Sequence, residues 1–191
     1  MTCICAIEHK GSVYIGGDSA YSDDNMISTT AFNEKVFIIE NMIIGVCGSL
    51  RTMQVIKHGL KLPLKKDPAQ TDMSYLVIDF VDSLRKLLKD KASLATDDNC
   101  ESLPDTGFLL GDGKKIFEVD TDMQVVRPVD GYAAMGSGAQ VALGSLYTTK
   151  HNQDLTPEEK ITIALESASH HTCHVRPKFH ILRLSNKRKI I

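Results

Sequence analysis

Three times this sequence runs apolar, breaks at a short turn, and runs apolar again. Residues 2–8 and 12–19 flank Lys10-Gly11, 35–39 and 42–47 flank Glu40-Asn41, and 106–110 and 115–119 flank Asp112-Gly113. Apolar segments that meet across such turns are antiparallel hairpins, and Asp-Gly is the strongest of these signals. The runs are nearly continuous, as in Val36-Phe37-Ile38-Ile39 and Met42-Ile43-Ile44, so their strands are expected to be covered on both faces.

Helical periodicity supplies the cover. Ser49 is placed to cap a helix whose inner face carries Leu50, Met53, Ile56 and Leu60. Met73, Leu76, Val77, Phe80, Val81, Leu84, Leu87 and Leu88 repeat as the buried stripe of one long helix. Residues 92–106 are polar and rich in turn formers, and read as an exposed loop. A buried strand over 131–136 leads through Ser137-Gly138 into a helix with Val141, Ala142, Leu143, Leu146 and Tyr147. Thr156-Pro157-Glu158-Glu159 joins a capping box to proline at the first helical position, opening a helix to about His170 with Ile161, Ala164, Leu165 and Ala168 inward. Residues 179–184 alternate like a last strand. Helices thus come in consecutive pairs between groups of strands. That order disfavours a doubly wound parallel sheet and fits two antiparallel sheets packed face to face with helices outside, an α/β (α+β) chain.

The 191 residues suit one domain spanning 1–191. A net charge of −2 excludes a nucleic-acid grip built on phosphate contacts. No apolar run approaches the roughly 18–20 residues that span a bilayer, and no signal peptide is read at the start, so no membrane partner is expected. The five cysteines lack paired zinc spacing and are expected to be reduced thiols of a cytoplasmic protein.

Thr2 is where chemistry is expected. Removal of Met1 would leave it carrying a hydroxyl nucleophile and a free α-amine that can serve as base. The amine's ordinary pKa, roughly 7.7–8.0, suits that task near neutral pH. Four further motifs follow in order: Gly16-Gly17-Asp18, Asn33-Glu34-Lys35-Val36, Gly45-Val46-Cys47-Gly48 and Met135-Gly136-Ser137-Gly138. With Thr2, their order and spacing resemble proteasome β-type subunits, and most nearly HslV-type bacterial protease subunits, which also begin Met-Thr. Most of residues 2–184 takes part. The resemblance implies a four-layer αββα sandwich, the Ntn-hydrolase fold, and threonine-type peptide-bond hydrolysis without cofactor or metal. It implies Thr2 as nucleophile, Lys35 beside it, Asp18 holding Lys35, the Gly48 N–H as oxyanion donor, and Ser137 near the α-amine. It also implies a homo-oligomeric ring acting on peptides or unfolded protein, served by a separate ATPase unfoldase.

Two readings remain beside this one. The family carries an aspartate, then a serine three residues on, near the last helix; here the register puts His170 and Cys173 there. A histidine lacks a fixed negative charge, which leaves open a non-catalytic, ring-forming subunit. An Ntn amidohydrolase acting on a small amide is the other. His170 and His174 stand at helical ligand spacing but no His-Glu-x-x-His pattern forms. Cys3 as an alternative nucleophile would need two residues removed and faces away from Thr2 along a strand. Gly136-Ser137-Gly138 lacks the third glycine of a dinucleotide fingerprint.

Overall fold

A computed structural model describes residues 2–22, 27–28, 34–65, 67, 69–91, 94–97 and 100–185. The first hairpin is β1 (Ile4–His9) and β2 (Ser12–Gly17), followed by the short pair β3 (Tyr21–Ser22) and β4 (Ile27–Ser28). The expected Asp23-Asp24-Asn25 loop lies outside the described residues. The second hairpin, β5 (Val36–Ile39) and β6 (Met42–Cys47), turns at Glu40-Asn41 and feeds α1 (Leu50–Gly59), with Ser49 Oγ accepting from Thr52 N.

The next helix is not the single α-helix expected. It starts as α2 (Asp72–Ser74), widens to π winding over Tyr75–Phe80, and continues as α3 (Val81–Asp90). The fully buried residues Leu76, Phe80, Leu84 and Leu88 recur every four positions. At 3.6 residues per turn that spacing would drift by about 40° per step. The wider winding takes up drift and keeps the row on the core, while Val77, expected inside, is 44% exposed.

Residues 92–106 also differ from the expected loop. β7 (Ala95–Asp97) and β8 (Cys100–Ser102) form a two-stranded ribbon, and Leu103 just after it is fully buried. β9 (Gly107–Gly111) and β10 (Ile116–Val119) make the third hairpin, then β11 (Val125–Val126) and β12 (Tyr132–Met135) precede α4 (Ala139–Thr149). α5 (Pro157–His171) carries the complete capping box at Thr156 and Glu159, and β13 (His180–Ser185) closes the order.

Two antiparallel sheets result, one ordered β12-β1-β2-β13 and the other β11-β10-β9-β6-β5. Strand alternation sorts their side chains. Ile4, Ala6, Val13 and Ile15 meet Val36, Ile43, Leu109 and Ile116 between the sheets. Cys3, Cys5, Ile7 and Tyr14 turn outward onto Ala142, Leu146, Ile161 and Leu165 of α4 and α5. Phe37, Ile44, Phe108 and Phe117 turn outward from the second sheet onto Met53, Ile56, Phe80 and Leu84. This is the four-layer αββα sandwich. Each fully buried Leu, Ile or Phe contributes about 1.5–3 kcal/mol relative to exposure, so all three layers of contact matter.

α5 sits close on its sheet because β2 carries Gly16. A Cβ there would lie 2.4 Å from Ile161 Cγ2. Among the described residues no helix is long and apolar enough to cross a membrane.

Candidate active site

Strand ends bring the site together. Thr2 precedes β1, Asp18 follows β2, Lys35 precedes β5, Gly48 follows β6, and Ser137 follows β12. All five expected residues gather around Thr2.

Thr2 is 3% exposed, and its backbone is held from two directions. Thr2 N donates to Ser137 Oγ at 3.1 Å, while Thr2 O accepts from Gly138 N at 3.2 Å and Ser137 Oγ at 3.3 Å. Gly136, at φ +93°, packs so closely that an added Cβ would stand 2.3 Å from Thr2 O. The hydroxyl meets a charge instead. Lys35 Nζ donates to Thr2 Oγ1 at 2.9 Å and to Asp18 Oδ1 at 2.8 Å.

Asp18 is enclosed by donors. Oδ1 also accepts from Cys3 N at 2.9 Å, and Oδ2 accepts from Ala20 N at 2.9 Å and Arg176 N at 3.4 Å. These bonds fix the buried carboxylate in place beside the ammonium, as a buried charge pair needs. Burial pushes the Lys35 ammonium below the ordinary lysine range, opposed by the Asp18 charge.

Gly48 has φ +101°, in the left-handed region that glycine favours. A Cβ there would collide with Asp105 O at 1.7 Å. The segment 104–106 is thus seated on the end of β6, secured by Ser49 N donating to Thr106 Oγ1 at 3.2 Å. Thr106 Oγ1 in turn donates to Pro104 O at 2.7 Å. That loop is the part of the site the sequence reading missed. Leu103 and Thr106, both fully buried, stand at its ends and were faint apolar and β-branched hints at the end of a polar stretch.

The helix-end expectation needs correction. His170 is exposed and rests edge-to-face on His171 at 4.8 Å, while the exposed Cys173 Sγ faces His174 Nε2 at 3.0 Å. Arg176 takes up the support instead, through its main chain: besides its N–H on Asp18, its carbonyl accepts from Ser19 N at 3.2 Å. Main-chain support of this kind does not depend on side-chain identity.

The neighbouring thiols are poor nucleophiles. Burial pushes the Cys47 thiol up, and its Sγ donates to Gly107 O at 3.2 Å. Cys3 is fully buried on the helix side, with its Sγ 3.8 Å from that of Cys5. That hydrogen bond and burial hold the Cys5 thiol well above its ordinary value.

Two clefts open on Thr2, Cys47, Gly48 and Ser49. One, about 340 Å³, extends past Ala20, Lys35, Val46, Arg51 and Met53. The other, about 620 Å³, extends past Pro104, Asp105, Gly136 and Ser137. An elongated molecule can therefore lie across the hydroxyl with a portion in each.

The family model described as proteasome subunit matches residues 1–172. No curated protein matches in sequence. The fold is similar to that of Thiobacillus denitrificans BPH in complex with epoxomicin, with TM-score 0.81 and 18% identity over 96% of this chain and 98% of that one. It is also similar to eukaryotic HslV from Trypanosoma brucei, with TM-score 0.68 and 16% identity over 96% and 99%. Anbu, an ancestral beta-subunit from Yersinia bercovieri, gives TM-score 0.68 and 15% identity over 96% and 82%.

Proposed function

The chain belongs to the proteasome subunit family, and we propose that it is a threonine-type peptidase in which Thr2, freed by removal of Met1, is the nucleophile. The observation that carries this reading is the Lys35 ammonium set between Thr2 Oγ1 and Asp18, at 2.9 Å and 2.8 Å. A cation there stabilises the alkoxide as it forms, and it favours the neutral form of a nearby amine.

The reaction then runs in two halves. The Thr2 α-amine takes the hydroxyl proton, directly or through Ser137, and Oγ1 bonds to the substrate carbonyl carbon. Negative charge moves to the carbonyl oxygen, where the Gly48 N–H donates to it. Collapse breaks the C–N bond, and the protonated amine returns its proton to the leaving nitrogen. Water, deprotonated by the same amine, attacks the threonyl ester and restores the hydroxyl.

We read the chain as one domain that forms a homo-oligomeric ring acting on peptides or unfolded protein, supplied by a separate ATPase. Its five free cysteines fit the reducing cytoplasm. Intact mass before and after incubation with epoxomicin tests the chemistry, because that warhead needs a hydroxyl and a free amine on one residue. Expected is a mass lacking Met1 that gains one adduct, with no adduct and no peptide cleavage in Thr2→Ala. Retained cleavage by pure Thr2→Ala protein overturns the mechanism, and Met1 retained throughout turns the reading to a non-catalytic ring subunit.

A further inference from the structure

We infer that the cleft beside Asp105 receives the departing half of the substrate and favours a cationic residue directly after the scissile bond. The inference rests on the reading of Thr2 as nucleophile. Its first step is directional. The group that protonates the leaving nitrogen is the Thr2 amine, so the leaving half must lie on the amine's side of the attacked carbon. Thr2 N points to Ser137 Oγ at 3.1 Å, whereas Thr2 Oγ1 is held by Lys35 at 2.9 Å. Ser137 and Gly136 line only the cleft that holds Pro104 and Asp105, and Lys35 lines only the other. The acyl half therefore occupies the Lys35 cleft and the leaving half the Asp105 cleft.

The second step is electrostatic. The charged residues lining the two clefts are of opposite sign: Lys35 and Arg51 on the acyl side, Asp105 on the leaving side. Asp105 is exposed, and among the described residues no cation is paired with its carboxylate. Its position is fixed to the reaction centre. Asp105 lies at φ +44° with its carbonyl against Gly48, and Thr106 bonds the end of β6. The carboxylate is thereby tied to the segment that carries the oxyanion donor.

The test uses quenched peptides identical on the acyl side, with Lys, Ala or Glu after the scissile bond, cut by wild type and by Asp105→Asn. Asparagine tolerates the left-handed backbone of this position, so the substitution removes charge without forcing the loop. Expected is a kcat/KM for Lys over Glu of about fivefold in wild type, the scale of a partly exposed ion pair, shrinking as salt rises. In Asp105→Asn the ratio falls to near one. The ratio, unlike either rate alone, is not moved by general damage to the loop. Equal rates for Lys and Glu in wild type overturn the inference, as does a preference that survives in Asp105→Asn, while peptide cleavage itself leaves the proposed function standing. A protein that takes up no epoxomicin and cuts no peptide removes both.

Discussion

Lys35 touches the hydroxyl and the carboxylate at once, so on the proposed mechanism its proton should bear on both chemistry and stability. Burial lowers its pKa beneath the usual value of about 10.4. As pH rises through that lowered value the ammonium is lost, and kcat/KM should fall earlier than an ordinary lysine would allow. Stability should move the other way. Between the folded and unfolded pKa values the unfolded chain binds more protons, so the free energy of unfolding rises with pH across that window. A pH–rate profile and thermal unfolding on the same samples check the opposed slopes, and parallel slopes would assign the alkaline limb to another group. Gly48→Ala combines two losses at one residue. A Cβ 1.7 Å from Asp105 O, on a backbone at φ +101°, should cost more than about 2 kcal/mol on denaturant unfolding. Any protein that still folds should lose about 10²–10³ in kcat as the N–H is displaced.

At the scale of elements, the contact of α5 with β2 depends on a missing side chain. Gly16→Ala should destabilise by about 1–3 kcal/mol, since the new Cβ meets Ile161 Cγ2 at 2.4 Å. Adding Ile161→Ala should cost less than the sum of the single changes, because each substitution relieves the strain or void left by the other. Urea unfolding of the four proteins measures the coupling, and strict additivity would mean that α5 shifts freely on the sheet. The hairpins were legible because tight turns and unbroken apolar runs are local signals, and the caps at Ser49 and Thr156 were legible for the same reason. The π winding was not. Val77 and Val81 read as one stripe under 3.6 periodicity, and only packing against Phe37 and Phe108 shows which row is buried. β7 and β8 escaped notice because each is three residues long and mixes small and polar side chains, Thr96 opposite Glu101 and Ala95 opposite Ser102, leaving no apolar alternation to read. Thr2, Asp18, Lys35, Gly48 and Ser137 were legible through motif order, each at a strand end. The support from Arg176 was not, because a main-chain bond leaves no mark on residue type.

For the whole molecule, the reading of a closed ring carries its own expectation. Native mass should fall on a whole-number multiple of the chain, and Thr2→Ala should give the same multiple, since the hydroxyl contributes to chemistry and not to assembly. A monomer in both would remove the ring. Thr2 itself is almost wholly enclosed, its carbonyl bound by Gly138 and Ser137. An aminopeptidase must draw the bond before Thr2 into its own active site, which an enclosed Thr2 is expected to hinder once the chain has folded. On the proposed mechanism, removal of Met1 should therefore come while the emerging chain is still slack, and Met1 kept past that point should stay. Folded protein carrying Met1 should keep it through prolonged methionine aminopeptidase treatment that trims a free peptide of the first ten residues, as mass spectrometry would record. A cell could then set how many subunits cut by the speed of trimming alone, with no inhibitor and no second gene.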